Sequence, residues 1–336
     1  MRVGVSIPVE EGLPVRRLVE LAQTAESCGY EAVVAGEVAG PDVFSLLGAI
    51  AVSTERVTLG TGVVPMATRS VALQAMAFRG LASLRPGRVL AGVGVSSPTV
   101  VEGWHDRTFA PPLRYAREFL PALRQALDGE RLDLEGEYVR SSGFSVVLPP
   151  EQRIPIVLAA MRPKMVGLAG ELADGVFLTW CPPGEAAERV QLFREGARRA
   201  GRDPDELLVL ASFFAYAGPE PEAARERLRR YVLQYATVST HRDSFSRSIP
   251  NLPEVEAAWQ AGDRRRALEL IDDDTVDRLC ALGPAAVARR VRELHEAGID
   301  LPIMVATASR FGNGDGPLKT IESAAEVLGL AVAREG

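Results

Sequence analysis

Short apolar runs and longer amphipathic segments alternate along the chain from its first residues. The apolar runs lie near residues 3, 32, 58, 90, 156, 176, 210 and 303, and their Val, Ile, Leu and Ala content is typical of strands buried on both faces. Three junctions repeat one order of helix end, glycine or aspartate turn and strand, at residues 27–34, 171–178 and 295–304. This alternation predicts an α/β fold with a parallel sheet.

The number of strands favours a (β/α)8 TIM barrel over an open dinucleotide-binding sheet. Eight strands alternate with helices, and no G-x-G-x-x-G motif follows the first strand, where such a sheet would carry it. The active site of a barrel of this kind lies at the carboxyl ends of its strands. We therefore expect a single domain over residues 1–336 with its site at that end.

Residues 56–97 form the clearest strand–helix–strand unit. Its strands are the apolar runs 57–64 and 89–94, and Pro86 with Gly87 ends the helix between them. Small residues stand where both strands run into loops: Gly60, Thr61, Gly62, Gly92 and Gly94. Positions without a side chain let a flat ligand or a phosphate approach the backbone closely.

Three segments interrupt the alternation and are predicted to be insertions. Residues 96–112 read as a long loop, residues 130–150 as a small β-hairpin after the fourth helix with its turn at 141–143, and residues 236–283 as an insertion after the seventh helix. Within the last, residues 236–263 are polar and irregular and residues 267–280 are predicted to be one helix. Since the loops 96–112 and 236–263 both follow strand ends, we expect both to fold over the same barrel mouth.

Composition and charge exclude several classes of function. A net charge of −6 over 336 residues offers no basic footprint for nucleic acid or for an anionic membrane surface. The apolar part of the opening MRVGVSIPVEEG is too short for a signal peptide, and no apolar run reaches the length of a transmembrane helix. Three widely spaced cysteines suggest neither a disulfide framework nor a zinc site. No H-E-x-x-H or G-x-S-x-G motif supports metal hydrolysis or serine catalysis. We expect a cytoplasmic protein with a small-molecule substrate.

Three stretches resemble a known family. The segments VTLGTGVVPMATRS and LASLRPGRVLAGVGVS, followed by PIVLAAMRPKMVGLAGELADGVFLTW, are similar to the bacterial luciferase-like superfamily, most of all to its oxidoreductases that use the deazaflavin coenzyme F420. The resemblance implies a barrel with the flavin-like ring laid across the strand ends, and a homodimer. It also implies a bulge at the end of the third strand with a non-proline cis peptide, at Gly62–Val63; the alternative is a glycine that merely fits a crowded barrel corner.

The resemblance also implies a set of cofactor-binding residues. They are Glu37, Thr61, Gly62, Val63, Gly92, Gly94, Ser96, Ser97, Ala159, Ala160, Met161, Arg162 and Lys164. Physical chemistry supports an anion-binding role for Arg162 and Lys164. Backbone N–H groups at the start of a helix near Pro163 would face an anion, and these two side chains add positive charge. The alternative is an exposed basic helix end, although cations there oppose the helix dipole.

Glu37 and His105 are the candidate catalytic residues, as proton donors. Family members often carry a histidine after the acidic residue at the end of the second strand, but here Val38 follows Glu37, so no catalytic histidine is carried over. Trp104 and Trp180 are candidates for substrate contact. The competing interpretations are a solvated loop carboxylate for Glu37, a surface histidine for His105 and simple packing for the tryptophans.

These observations lead to one functional hypothesis and two competitors. The first is an F420-dependent oxidoreductase that transfers a hydride between the cofactor C5 and a small organic substrate. The second is an FMN-dependent luciferase-like monooxygenase that uses reduced flavin and oxygen. The third is a barrel that binds a deazaflavin or another ligand without turnover.

Overall fold

The computed structural model describes residues 1–149, 151–238 and 241–330. The strands are β1 (Gly4–Ile7), β2 (Ala32–Ala35), β3 (Thr58–Thr61), β4 (Val64–Pro65), β5 (Val89–Gly94), β6 (Leu132–Glu135), β7 (Arg140–Phe144), β8 (Ile156–Ala160), β9 (Gly175–Leu178), β10 (Leu208–Tyr216), β11 (Cys280–Leu282) and β12 (Leu301–Ala306). The helices are α1 (Val15–Ser27), α2 (Val43–Ser53), α3 (Val71–Leu84), α4 (Pro112–Leu127), α5 (Pro163–Leu172), α6 (Pro183–Arg199), α7 (Pro221–Ala236), α8 (Arg242–Phe245), α9 (Leu252–Gln260), α10 (Arg264–Glu269), α11 (Asp273–Leu279), α12 (Pro284–Glu296) and α13 (Asp315–Leu328).

Parallel strands close into the predicted barrel. They pair in the order β1-β2-β3-β5-β8-β9-β10-β12, and β12 returns to β1. The short strand β4 continues the third strand past the bulge and pairs with β5, while β11 pairs with the last three residues of β10, beyond the part that pairs with β9. The (β/α)8 prediction and the positions of all eight barrel strands are therefore confirmed.

Side chains alternate between two cores along each barrel strand. On β2, Val33 and Ala35 pack outward against the helices, while Ala32 and Val34 point into the barrel. The barrel interior is filled by apolar residues: Ala32, Val34, Leu90, Val157, Phe177, Leu210, Leu301 and Ile303. Because the lumen is packed, a ligand has access only at the ends of the strands.

The predicted hairpin is confirmed, but its turn lies elsewhere. Strands β6 and β7 pair in antiparallel fashion, and residues 136–139 connect them. Residues 141–143, predicted as the turn, lie inside β7, where Gly143 has a φ of +70°. The reason is a tertiary contact, because the Glu118 carboxylate on α4 accepts hydrogen bonds from the backbone N–H groups of Glu137, Tyr138 and Val139.

The insertion after α7 is more helical than predicted. Residues 236–263, expected to be irregular, contain α8 and α9, although residues 239–240 lie outside the described residues. The helix predicted over 267–280 is two helices and a strand, α10, α11 and β11. Aspartate caps explain the division, since Asp263 accepts a hydrogen bond from the Arg266 N–H and Asp272 from the Thr275 N–H.

Other predictions about chain organisation have mixed outcomes. Residues 96–112 are not entirely a loop, because a π-helical turn spans Thr99–Trp104. The three cysteines are free thiols. Among the described residues, no helix is long and apolar enough to cross a bilayer. The single domain over 1–336 stays a prediction, and its residues 331–336 lie outside the described part of the chain.

The tightest helix packing in the outer layer yields a stability prediction. On α5, a Cβ at Gly170 would lie 2.1 Å from the Phe193 carbonyl oxygen and 2.7 Å from the Ala197 nitrogen of α6. We expect Gly170→Ala to lower the free energy of unfolding by roughly 1–3 kcal/mol, because the two helix backbones must separate. Chemical denaturation measures the change.

A matched glycine provides the control. Gly80 lies within α3, and a Cβ there would have no atom within 4 Å. Gly80→Ala is expected to raise the free energy of unfolding by about 0.5–1 kcal/mol through helix propensity alone. Similar values for the two variants would contradict the close packing of α5 on α6.

Candidate active site

Three strand ends meet at one edge of the barrel mouth. The Thr61 hydroxyl donates a hydrogen bond of 2.5 Å to the Gly92 carbonyl oxygen, which joins the ends of β3 and β5. A Cβ at Gly94 would lie 2.7 Å from Val63 Cγ2 and 3.3 Å from the Cβ of Ala159 on β8. We call this edge the glycine rim, and its members are Thr61, Gly62, Val63, Gly92, Gly94 and Ala159. Segments separated by about a hundred residues in the chain therefore lie together at one edge of the mouth.

The peptide bond between Gly62 and Val63 is cis, as predicted. The Gly62 N–H donates to the Ala35 carbonyl oxygen at 2.7 Å, and the Val63 carbonyl oxygen accepts from the Glu37 N–H at 3.1 Å. The end of β2 thus holds both sides of the bulge. This arrangement turns the Val63 side chain toward the interior core, where it packs beside Ala159.

The remaining predicted cofactor residues differ in how exposed they are and in where their side chains point. Ser96 has a φ of +62°, and the hydroxyl of buried Ser97 accepts a hydrogen bond from the Val100 N–H at 3.4 Å. Met161 is half-buried, while Arg162 and Lys164 are exposed where α5 begins. Ala160 is a member of the outer core, so its side chain points away from the lumen.

Glu37 is bound by an arginine that the sequence analysis did not single out. Arg69 donates to both Glu37 carboxylate oxygens, at 2.9 and 2.6 Å, and also contacts Asp42, the N-cap residue of α2. Hydrogen bonding to Glu37 raises the pKa of Arg69 despite partial burial. Both oxygens of Glu37 are engaged, so Glu37 would have to leave this pair before donating a proton to a ligand.

Trp104 and His105 lie at the end of the π-helical turn. The His105 N–H closes the turn by donating to the Val100 carbonyl oxygen at 3.2 Å. Trp104 is 54% exposed and His105 is also exposed, so neither side chain is buried in the mouth.

Trp180 lies in an aromatic cluster on the other side of the mouth. Its ring stacks on Phe214 with centroids 4.3 Å apart, and it also contacts Tyr235 at 5.1 Å. Tyr231 contacts Phe214 at 5.1 Å, and His241 stacks on Tyr235 at 5.7 Å. We call these five residues the aromatic wall. In the barrel order β10, which carries Phe214, lies opposite β3, which leads into the cis bulge.

Two consecutive carboxylates after β1 adjoin the aromatic wall. Glu11 is 1% exposed and accepts hydrogen bonds from Arg227 at 2.7 Å and from the Tyr231 hydroxyl at 2.8 Å. Burial, followed by the charge of Glu11, raises the pKa of Glu10. The sequence signal for these residues is two acids directly after a strand end, which the sequence analysis used only against a signal peptide.

Most of the chain matches a known protein family. A sequence profile described as luciferase-like monooxygenase matches residues 1–301. A Mycobacterium tuberculosis protein named as a coenzyme F420-dependent oxidoreductase is 30% identical, with 92% of this chain and 95% of that protein covered. An F420-dependent glucose-6-phosphate dehydrogenase of Mycolicibacterium gilvum is 32% identical, over 68% of this chain and 73% of that protein.

A solved structure shares the fold. The coenzyme F420-dependent tetrahydromethanopterin reductase of Methanopyrus kandleri superposes with a TM-score of 0.80 at 22% identity, covering 98% of this chain and 99% of the other. At this identity the likeness establishes the barrel architecture alone.

The Glu37–Arg69 pair leads to a prediction about stability. The Glu37 side chain is only 11% exposed, so Arg69→Met leaves a largely desolvated carboxylate without its cation. We expect the free energy of unfolding to fall by about 1–3 kcal/mol, and Glu37→Gln in the same chain to recover part of the loss. Chemical denaturation of the single and double variants measures both effects.

Arg2 is the matched control. It pairs with Glu31 at a site where the arginine side chain is 53% exposed. Arg2→Met is expected to cost less than about 1 kcal/mol. If Arg69→Met lowers the free energy of unfolding no more than Arg2→Met does, the buried pair contributes no more to stability than an exposed one.

Proposed function

The chain belongs to the luciferase-like monooxygenase family, and from this membership we propose that it is a coenzyme F420-dependent oxidoreductase acting on a small organic substrate. When bound, the coenzyme supplies a deazaflavin ring that exchanges a hydride at C5 with the substrate. The names of the relatives favour F420 over FMN. The protein then has to bind the ring, orient the substrate, exclude water and handle a proton.

The glycine rim is the observation that carries this proposal. A Cβ at Gly92 would lie 1.9 Å from the Thr61 carbonyl oxygen, and one at Gly36 would lie 3.3 Å from the Gly62 carbonyl oxygen. Gly36, Gly92 and Gly94 therefore keep the strand ends around the cis bulge free of large side chains, and the rim carries only the side chains of Thr61, Val63 and Ala159. A planar ring fits such a surface because it can lie flat against it.

The start of α5 supports the part of the proposal that concerns the anionic tail of the coenzyme. Lys164 and Arg162 are exposed there, next to the end of β8 and therefore next to the rim. Free N–H groups in the first turn of a helix bind phosphates well, and nearby cations add to the attraction. Ser96 and Ser97 follow β5 on the neighbouring strand and complete the proposed tail site.

Glu37 and His105 remain the proposed proton donors. Glu37 acts in that role only after releasing Arg69, and exposed His105 only if the π-helical turn brings it to the mouth. Independently of its carboxylate, Glu37 also holds the bulge, because its backbone N–H donates to the Val63 carbonyl oxygen. Trp180 is the proposed substrate contact. Trp104 would contact the substrate only if the π-helical turn moves toward the mouth, as for His105.

A homodimer and a cytoplasmic location also belong to the proposal. The helices beside the early strands expose large apolar side chains: Val52 on α2, and Leu73, Met76 and Leu84 on α3. Exposed apolar groups gathered on neighbouring helices are typical of an interface with another chain. No basic patch for nucleic acid enters the proposal, since the net charge is −6.

The cofactor proposal is tested by titrating the purified protein with oxidised F420 and with FMN in a calorimeter. We expect F420 to bind more tightly. Gly94→Ala should weaken F420 binding by about tenfold, because the new methyl group displaces the Val63 side chain beside the bulge. Gly48→Ala, a glycine on α2 with no atom within 4 Å of a Cβ, is the control and should leave the affinity unchanged.

Other results would redirect the assignment. Equal or tighter FMN binding, together with oxygen consumption in the presence of reduced FMN, would indicate a flavin monooxygenase. Tight F420 binding without turnover of any carbonyl or alcohol substrate would indicate a binding protein.

The dimer proposal has a separate test. Light scattering after gel filtration should give a mass near twice the 36.1 kDa of one chain. Met76→Glu combined with Leu73→Glu should reduce the mass to that of one chain, because charges would be buried at the interface. Val147→Glu, on an exposed side chain next to the hairpin, should have no effect. A wild-type protein with the mass of one chain would refute the dimer.

A further inference from the structure

The loop that follows the cis bulge touches two parts of the proposed ring site. We call residues 65–69 the post-bulge loop, which runs from the end of β4 to the residue before the N-cap of α3. The Met66 N–H donates to the carbonyl oxygen of Gly94 in the glycine rim at 2.8 Å. The Arg69 guanidinium binds the Glu37 carboxylate at 2.9 and 2.6 Å. The position of this loop therefore affects both the rim and the carboxylate beside the bulge.

Gln74 ties both ends of the post-bulge loop to α3. It lies in the first turn of the helix, and its side chain is fully buried. Its Nε2 group donates to the Pro65 carbonyl oxygen at 3.0 Å and lies 3.4 and 3.5 Å from the carbonyl oxygens of Met66 and Arg69. Because these three neighbours are all acceptors, the amide turns its N–H groups and not its oxygen toward the loop. One side chain thus contacts the first and the last residue of the loop.

Two other side chains bind the backbone of the loop, and both reach only its first half. The Thr68 hydroxyl donates to the Pro65 carbonyl oxygen at 3.2 Å, within the loop itself. The Tyr115 hydroxyl on α4 donates to the Met66 carbonyl oxygen at 3.3 Å. Among the described residues, Gln74 is therefore the side chain that couples the part of the loop next to the rim with the part that carries Arg69.

The amide of Gln74 serves these bonds rather than packing alone. Its Oε1 atom is buried and has no hydrogen-bond partner among the described residues. An unsatisfied buried oxygen costs free energy, and a methionine of nearly the same length would fill the space without that cost. The hydrogen bonds to the loop offset the cost, so the role of the side chain lies in its N–H groups.

We propose that Gln74 is a positioning residue for the coenzyme site. By fixing the post-bulge loop, it holds the Arg69–Glu37 pair and the edge of the glycine rim in the geometry that the ring requires. The inference rests on the proposed function for the identity of the ligand. Gln74 itself does not touch the ligand, because its side chain has no exposed surface.

Titration of Gln74→Met with F420 in a calorimeter tests the proposal. We expect the affinity for F420 to fall by about tenfold or more, because the loop loses the donor shared by its two ends. Thr54→Val is the matched control, since Thr54 is 1% exposed and its hydroxyl donates to the Ile50 carbonyl oxygen at 2.8 Å, at the opposite end of the barrel. That variant should lose stability in chemical denaturation but keep its F420 affinity within about twofold of wild type. Equal losses of affinity in the two variants, or no loss in Gln74→Met, would overturn the proposal.

Gln74→Glu separates a hydrogen-bonding role from a purely structural one. An ionised carboxylate cannot donate to a carbonyl oxygen, whereas a protonated carboxyl group has one O–H donor. Because burial raises the pKa of a carboxyl group, we expect the F420 affinity, divided by that of wild type at the same pH, to recover by about tenfold from about pH 8.5 to about pH 5.5. Gln74→Met should show no such recovery. A relative affinity of Gln74→Glu that does not change with pH would contradict the hydrogen-bonding role.

A double variant tests the route through Arg69. If Gln74 acts by placing Arg69, then Arg69→Met already removes part of its effect. The loss of F420 affinity in the double variant should therefore be smaller than the product of the two single losses, by about threefold or more. A loss equal to that product would overturn this route.

The wild-type protein and the loop itself separate this inference from the proposed function. If the wild-type protein does not bind F420, the proposed function fails, and hydrogen exchange of the Met66 amide still reports on the loop without a ligand. Gln74→Met should speed this exchange and Thr54→Val should not, because the Met66 N–H is bonded to the Gly94 carbonyl oxygen. If the wild-type protein and Gln74→Met bind F420 equally well, only the present inference is wrong.

Discussion

The close approach of two backbones, at Thr61 on β3 and Gly92 on β5, is the constraint on which the barrel mouth depends. The distance from the Thr61 carbonyl oxygen to a Cβ at position 92 would be 1.9 Å, so only glycine fits there. The Thr61 hydroxyl then reaches the Gly92 carbonyl oxygen and ties the strand ends together. With β3 and β5 held this close, Val63 packs toward Gly94 and Ala159, and the cis bulge becomes part of the lumen surface.

The opposite half of the mouth consists of large side chains rather than small ones. There the chain places its largest side chains, and the inserted helices after α7 cover them with Phe245, Ile249 and Leu252. An ion pair between buried Glu11 and partly exposed Arg227 links the loop after β1 to α7 and so fixes the wall relative to the barrel. One side accordingly consists of small residues packed on backbone, and the other of aromatic side chains packed against one another.

Several elements of the site illustrate what a local pattern cannot reveal. The glycines of β3 and β5 and the cis bulge were accessible from the sequence, because small residues at strand ends and the family resemblance pointed to the same positions. Arg69 was not, since it pairs with a carboxylate 32 residues earlier in the chain. The hairpin turn was misplaced for a similar reason, because Glu118 on a neighbouring helix decides where the backbone turns.

The sequence by itself determined the strand and helix alternation, the closed barrel, the insertions and the identity of the glycine rim. Hydrophobic periodicity and the positions of glycines are local properties, so they can be read from a short stretch of the sequence. Only the tertiary structure decided which charges pair, that Ala160 faces outward, that Trp104 and His105 are exposed, and that Trp180 joins residues of α7 in one wall. These outcomes depend on contacts between residues distant in the chain, whose free energies are comparable with the local preferences they override.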